Sequence, residues 1–207
     1  MMPTILIADD HPLFRQALVL AASRVRPDAR IVEAGTLGRA VEAAVAAEDL
    51  ALILLDLQMP GAVGYSGVAL LHAERPAVPI LVISSASEGD AAQQVRAFGA
   101  VGFIGKGADL SAIEVAITRA LAGETIAARP DPELDPVAGQ VASLSPMQLK
   151  VLLGVLAGRL NKQIAFDLGI SEATVKAHMT GILRKLDVQN RTQAVLAARA
   201  LGLGGPA

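Results

Sequence analysis

The sequence predicts an α/β domain on a five-stranded, doubly wound parallel sheet, followed by an all-α domain of four helices. Three observations predict it. Over the first 122 residues, short apolar runs alternate strictly with amphipathic stretches. From Glu124 to Ala142 that alternation lapses into "ETIAARPDPELDPVAGQVA", which has the proline and acid content of a linker. From Leu144 onward only helical periodicity remains. These shifts divide the 207 residues into a domain at 1–123, a linker at 124–142 and a second domain at 143–207.

Taken in order, "TILIA" (4–8) reads as a buried strand, and 12–25 as a helix with Pro12 in its first turn. A short strand at 30–34 and an Ala-rich helix at 37–47 follow. "LALILLDL" (50–57) is almost wholly apolar, as a strand covered on both faces must be. "VPILVISS" (78–85) repeats the pattern and "AVGFIGK" (100–106) does so more weakly. Helices fit 66–74, 88–98 and 109–122. In the second domain, "SPMQLKVLLGVLAG" has Ser145 as N-cap, Pro146 at the first position and Gly158 at its end. "NKQIAFDLG" closes on Gly169, "SEATVKAHMTGILRKL" opens on Ser171, and "RTQAVLAARALG" completes the set.

Composition narrows the function. The chain is 53% hydrophobic with no tryptophan, so its cores are aliphatic, and it has no cysteine for disulfides or thiolate metal sites. No apolar run approaches the roughly 20 residues that span a bilayer, and the N-terminus lacks a basic signal region, so a cytoplasmic protein is expected. The net charge of −2 hides an asymmetry. Residues 1–142 carry 10 Lys+Arg against 17 Asp+Glu, whereas 143–207 carry 8 against 3. A domain of charge +5 joined to one of −7 points to a polyanion as the ligand of the second.

Open parallel sheets bind ligands beyond the C-terminal ends of their strands. Those ends carry Asp9 and Asp10 in "ILIADDHP", then Asp56, Ser84 and Lys106. The aspartate pair alone is compatible with a solvated turn in which Asp10 or His11 starts the next helix. Together with Asp56 it becomes an all-oxygen site suited to Mg²⁺, where a carboxylate can act as nucleophile toward phosphorus. Lys106 and the Ser84 hydroxyl would then meet the charge on the transferred group.

"ADDHPLFR", "LLDLQMPG", "VISSAS" and "GFIGK" resemble the receiver domain of bacterial two-component response regulators, over about residues 3–122. The resemblance implies that Asp56 is the phosphoacceptor and that Asp10 ligates Mg²⁺ directly. Asp9 would act mostly through water, and the backbone carbonyl of Gln58 would add a ligand. Ser84 and Lys106 would contact the phosphoryl group, and Phe103 occupies the place of a switch aromatic. The sequence departs from the pattern after "QMPG", where the loop from Met59 to Gly67 is about three residues longer than usual, and at Gly107, where proline is frequent.

In the basic domain, two short helices across a glycine turn form a helix-turn-helix plan. On the 171–186 helix, Val175, Met179, Ile182 and Leu186 share the inward face, opposite Ala173, Lys176, Ala177, Thr180 and Arg184. The domain resembles the LuxR/NarL type over about 143–203, through "NKQIA", "LGIS", "TVKAH" and "ILRKL". That resemblance implies that Lys176, Ala177 and Thr180 face bases while Lys162, Arg184, Lys185 and Arg191 approach phosphates. The last helix, with Val195, Leu196 and Arg199, resembles the family's dimer-forming helix. Met147–Gln148 replaces the usual Arg–Glu, which removes an ion pair expected to fix the first helix.

The reading is therefore a transcriptional response regulator and not an enzyme. A sensor histidine kinase would phosphorylate Asp56 with Mg²⁺, and a homodimer would bind inverted DNA half-sites. Two rivals stand beside it: a DNA-binding protein with a phosphorylation-independent receiver, and an aspartate-dependent phosphatase that would leave the basic domain idle.

Overall fold

The structure, a computed structural model, describes residues 2–85, 88–124 and 136–204. The N-terminal domain runs β1 (Thr4–Ala8), α1 (Pro12–Val25), β2 (Arg30–Ala34), α2 (Leu37–Ala46), β3 (Leu50–Leu55), α3 (Ser66–Glu74), β4 (Ile80–Ser84), α4 (Glu88–Ala97), β5 (Gly102–Gly105) and α5 (Leu110–Leu121). The sheet order is β2-β1-β3-β4-β5, and every pair is parallel. The order in which strands are added switches sides between β1 and β3, so a crevice opens at their C-terminal ends.

Alternation along the strands sorts the core into two layers. Ile5, Ile7, Leu52, Leu54, Leu81 and Ile83 meet α1 and α5 through Leu18, Ala22, Ile113 and Ile117. Leu6, Ala8, Ile53, Leu55, Ile80 and Val82 face the other side and join the cluster of α2, α3 and α4. Both faces are covered, which is why these strands read as unbroken apolar runs. Helix starts are fixed locally. Thr36 Oγ1 accepts from Arg39 N at 3.3 Å and Asp109 Oδ1 from Ala112 N at 2.7 Å.

The C-terminal domain contains α7 (Pro146–Leu156), α8 (Asn161–Leu168), α9 (Glu172–Lys185) and α10 (Arg191–Ala200). The expected linker is only partly so. A short helix, α6 (Pro136–Ala142), lies inside it and packs against α3 and α4. Proline density signalled a linker there, yet Pro136 sits where a helix tolerates proline and Val141 is buried. The stretch 125–135 lies outside the described residues.

The C-terminal domain rests on the N-terminal domain's apolar cluster instead of standing apart. Helix α7 packs along α3, and Lys150 Nζ lies 2.7 Å from Glu74 Oε1 across the junction. The apolar cluster runs without a break from Val68 and Leu71 to Leu149, Leu152 and Ile182.

On α3, half-buried His72 packs against the Gly99 turn, where a Cβ would come within 2.5 Å of the ring. Burial lowers its pKa below the ordinary 6.5. The unfolded chain therefore binds a proton at this residue at higher pH than the folded one, and stability falls on acidification through that range. Urea midpoints at about pH 7.5 and about pH 5.5 should show a larger acid loss for the parent than for His72→Leu. Equal losses would show that His72 titrates alike in both states.

Candidate functional site

Strand register assembles the site. Ala8 aligns with Leu55, so Asp9 and Asp56 leave neighbouring strands side by side. Asp56 N donates to Ala8 O at 2.8 Å, and Asp9 N to Ala34 O at 3.0 Å. Ser84 ends β4 opposite Gly105, and Lys106 N donates to Ser84 O at 2.9 Å. All five rim residues expected from the sequence thus arise within two residues of a strand end. Asp9, Asp56 and Ser84 are buried, and Asp10 and Lys106 are partly exposed.

Two buried carboxylates side by side need a counter-charge, because an uncompensated buried ion costs several kcal/mol. Lys106 supplies it. Its Nζ lies 2.8 Å from Asp9 Oδ2 and 2.8 Å from Asp56 Oδ2. Burial alone would lower the Lys106 pKa, but the hydrogen bonds and charges of Asp56 and Asp9 outweigh it and raise the value, so the ammonium stays charged. Its Nζ also stands 4.9 Å from the centre of the Phe14 ring. The second Asp56 oxygen, Oδ1, accepts from Gln58 N at 3.1 Å. Asp9 is further fixed by His11 N, which donates to its Oδ1 at 2.7 Å, and by Arg15, which donates to its backbone oxygen at 2.7 Å.

His11 has a different part from the one its position suggests. It is the N-cap residue of α1, yet its side chain makes no capping bond. Its Nδ1 instead approaches Asp10 Oδ1 at 2.8 Å and Lys106 Nζ at 3.4 Å. Ligand atoms of Asp9, Asp10, His11 and Asp56 all lie within 4.8 Å of one another, close enough to surround one cation. Three carboxylates at this spacing fit a hard divalent ion such as Mg²⁺. Phe103 is buried in the core beneath, aligned with Val82.

The second candidate surface is α9. Ala173, Lys176, Ala177, Thr180 and Arg184 are all exposed, while Val175, Met179, Ile182 and Leu186 are buried. Ser171 Oγ caps the helix by accepting from Thr174 N at 3.0 Å. Lys176 Nζ lies 3.3 Å from Glu172 one turn back, a solvent-screened contact. Lys162 and Arg184 are exposed and have no ion-pair partner among the described residues. Leu196 on α10 is 63% exposed, with Val195 half-buried and Arg199 exposed beside it.

Two residues expected at phosphates have their head groups turned inward. Lys185 Nζ donates to Ser143 O at 2.7 Å and to Gln148 Oε1 at 3.0 Å. Arg191 donates to Asn161 Oδ1 at 3.0 Å and to the Arg159 carbonyl. Sequence position alone does not separate a basic side chain that reaches out from one that ties helices together. Gln148 also corrects the expectation of a missing restraint. It completes a capping box with Ser145 and accepts from Lys185, so hydrogen bonds to a neutral amide hold the first helix where an ion pair was expected.

Two family models match the chain: "Response regulator receiver domain" over residues 5–118 and "Bacterial regulatory proteins, luxR family" over residues 142–198. The chain is 39% identical over 214 residues to a glycerol metabolism activator of Pseudomonas putida, with 94% of each chain covered. It is 31% identical over 206 residues to the nitrate/nitrite response regulator protein NarL of Escherichia coli, with 93% of each covered. Among solved structures, the RcsB response regulator of Salmonella typhimurium aligns with a TM-score of 0.55 at 19% identity, covering 97% of this chain and 100% of that one. A LuxR-family two-component response regulator from an Aurantimonas species aligns with a TM-score of 0.54 at 26% identity, covering 60% and 89%. The first of these likenesses speaks for fold alone.

The ion pairs at the rim give a direct test. Lys106→Met keeps the side chain's bulk and removes the charge between Asp9 and Asp56. Without divalent ion the variant should lose about 3 kcal/mol or less, since Asp10 leaves the cluster open to water. Added Mg²⁺ should raise its melting temperature more than the parent's. A variant as stable as the parent, with no larger response to Mg²⁺, would contradict the role given to Lys106.

Proposed function

We propose, for a chain that belongs to the response regulators with a LuxR-type DNA-binding domain, that a partner histidine kinase phosphorylates Asp56 and that this controls dimerisation and DNA binding. One observation carries the reading: Asp56 is buried at the sheet's switch point, between a lysine and two further aspartates. An Asp56 carboxylate oxygen attacks the phosphorus, the bond to the kinase histidine breaks, and its electron pair leaves with the imidazole nitrogen. Lys106 exchanges its contact with Asp56 for one with the incoming phosphoryl oxygen, and the Ser84 hydroxyl donates to another. Asp10, Asp56 and the Gln58 carbonyl would hold Mg²⁺, with Asp9 acting through water, and the ion would supply positive charge to neutralise the phosphoryl group.

For the second domain, the exposed stripe of α9 supports base reading by Lys176, Ala177 and Thr180. Its small side chains let the helix approach a major groove closely. Lys162 and Arg184 approach phosphates, and Lys185 and Arg191 act mainly by holding the domain together. Val195, Leu196 and Arg199 form the contact between two copies on inverted half-sites. The protein works in the cytoplasm, where its kinase and DNA partners meet it. No helix among the described residues is long and apolar enough to cross a membrane.

Incubation with a small phosphodonor and Mg²⁺ should add one acid-labile phosphoryl group, about 80 Da by intact mass. Asp56→Asn or chelator should abolish it; undiminished labelling in either case refutes the phosphoacceptor assignment. On DNA, Lys176→Ala should weaken a selected operator by about 1–3 kcal/mol more than a scrambled duplex. Lys162→Ala should weaken both alike and make the log–log salt slope shallower by about one unit. Equal losses on both duplexes for Lys176→Ala would make that residue a phosphate contact.

A further inference from the structure

His11 belongs to the rim cluster, yet phosphoryl chemistry at Asp56 gives it no part. It stands at the start of α1 with no capping bond to make, and its ring is turned to the rim instead. Its backbone is pinned on both sides. His11 N donates to Asp9 Oδ1 at 2.7 Å, and His11 O accepts from Arg15 N at 2.9 Å. Pro12 follows directly and stiffens the turn. The ring nitrogen Nδ1 lies 2.8 Å from Asp10 Oδ1 and 3.5 Å from Asp9 Oδ1. Donors bound side by side on an octahedral ion with bonds of about 2.1 Å stand about 3 Å apart. These atoms therefore already have the spacing of neighbours on one ion. Asp10 Oδ1 is also buried and makes no hydrogen bond, although a ring nitrogen faces it. A cation at the rim would satisfy both atoms at once.

We infer that His11 is a metal ligand, and that through it the rim takes a borderline transition ion such as Ni²⁺, Co²⁺ or Zn²⁺ in place of Mg²⁺. The donor set divides by softness. Mg²⁺ prefers oxygen and gains little from an imidazole, whereas Ni²⁺, Co²⁺ and Zn²⁺ bind imidazole nitrogen well. The carboxylates of Asp9, Asp10 and Asp56 serve either class, so the ring is the group that discriminates between them. Lys106 does not close the site to such an ion. Its Nζ bridges Asp9 and Asp56 and stands 3.4 Å from Nδ1, and a dication among the carboxylates takes over the counter-charge that it supplies. The His11 side chain is 64% exposed, so the ring can settle on an incoming ion without disturbing packing. An ion held this way competes with Mg²⁺ for Asp10 and Asp56. Transition-metal supply then joins the phosphodonor as an input to the site.

The inference rests on the proposed binding of a divalent ion at the rim, and the test separates the two. Calorimetric titration of the full chain with Mg²⁺, and separately with Ni²⁺, compares the parent with Asp10→Ala, His11→Ala and His178→Ala. Ni²⁺ should bind the parent more tightly than Mg²⁺ does. His11→Ala should weaken Ni²⁺ by about tenfold or more and change Mg²⁺ by less than about twofold. The ring is exposed and makes no capping bond, so its removal leaves the fold intact, and the retained Mg²⁺ binding reports that directly. Asp10→Ala should weaken both ions, which places them on the rim. His178, half-buried on α9, is the control, and His178→Ala should leave both ions unchanged. Equal losses of the two ions in His11→Ala, or no loss of Ni²⁺, overturn the role given to His11. A loss of Ni²⁺ in His178→Ala as large as that in His11→Ala does the same. If the parent binds neither ion, or Asp10→Ala binds both as the parent does, the Mg²⁺ reading of the rim fails and the inference falls with it.

Discussion

Asp9 and Asp56 lie buried within reach of one ammonium, and much of the molecule follows from keeping them there. Their proximity is a consequence of parallel pairing between β1 and β3, where a one-residue slip would turn every strand residue to the opposite face. Apolar cover on both faces of the sheet fixes that register, and the register puts two like charges at one crevice. Lys106, on the far side of β4, closes the arrangement with two contacts of 2.8 Å. Under the proposed function, the same lysine that stabilises the resting cluster would change partners when a phosphoryl group arrives. A group with two alternative partners is what a switch requires.

The C-terminal domain is organised by the opposite demand. Its reading helix exposes small and basic side chains, so the helix must be held from behind. Lys185 and Arg191 do part of this by bonding to the backbone carbonyls of Ser143 and Arg159 in the segments that flank α7, and Gln148 bridges the cap of α7 to Lys185. Packing of α7 on α3 then sets this domain on the receiver with α9 still open to solvent. Under the proposed function, control over DNA in this arrangement would fall on whether two copies can pair, since avidity for paired half-sites changes steeply with dimerisation while each reading face stays the same.

Local pattern in the sequence revealed a large part of this. Short apolar runs alternating with helical stretches made all five strands legible, and each of Asp9, Asp10, Asp56, Ser84 and Lys106 could be placed on the rim because strand ends are where apolar runs stop. Capping by Ser145 and Ser171 was equally legible. The helix at Pro136–Ala142 was not, since its proline and glycine content resembles a linker and its support comes from α3, far away in sequence. The inward turn of Lys185 and Arg191 was hidden for the same reason: their partners lie 42 and 30 residues away. His11 stood in plain view, but its preference for Asp10 over the helix it precedes is a side-chain geometry that composition does not encode. The extra loop length was visible, and its contact with Gly202, whose carbonyl accepts from Tyr65 N, was not.

The central claim is that chemistry at Asp56 reaches the DNA-binding domain, as the proposed function requires. The chain has one tyrosine and no tryptophan, so its intrinsic emission reports on Tyr65 alone, whose ring lies against Gly202 and Phe98. Emission should be followed during phosphodonor labelling with Mg²⁺, with incorporation measured by intact mass on the same samples. The account predicts a change in Tyr65 emission that tracks phosphoryl incorporation and is absent in Asp56→Asn. Full labelling of Asp56 with unchanged emission would contradict it.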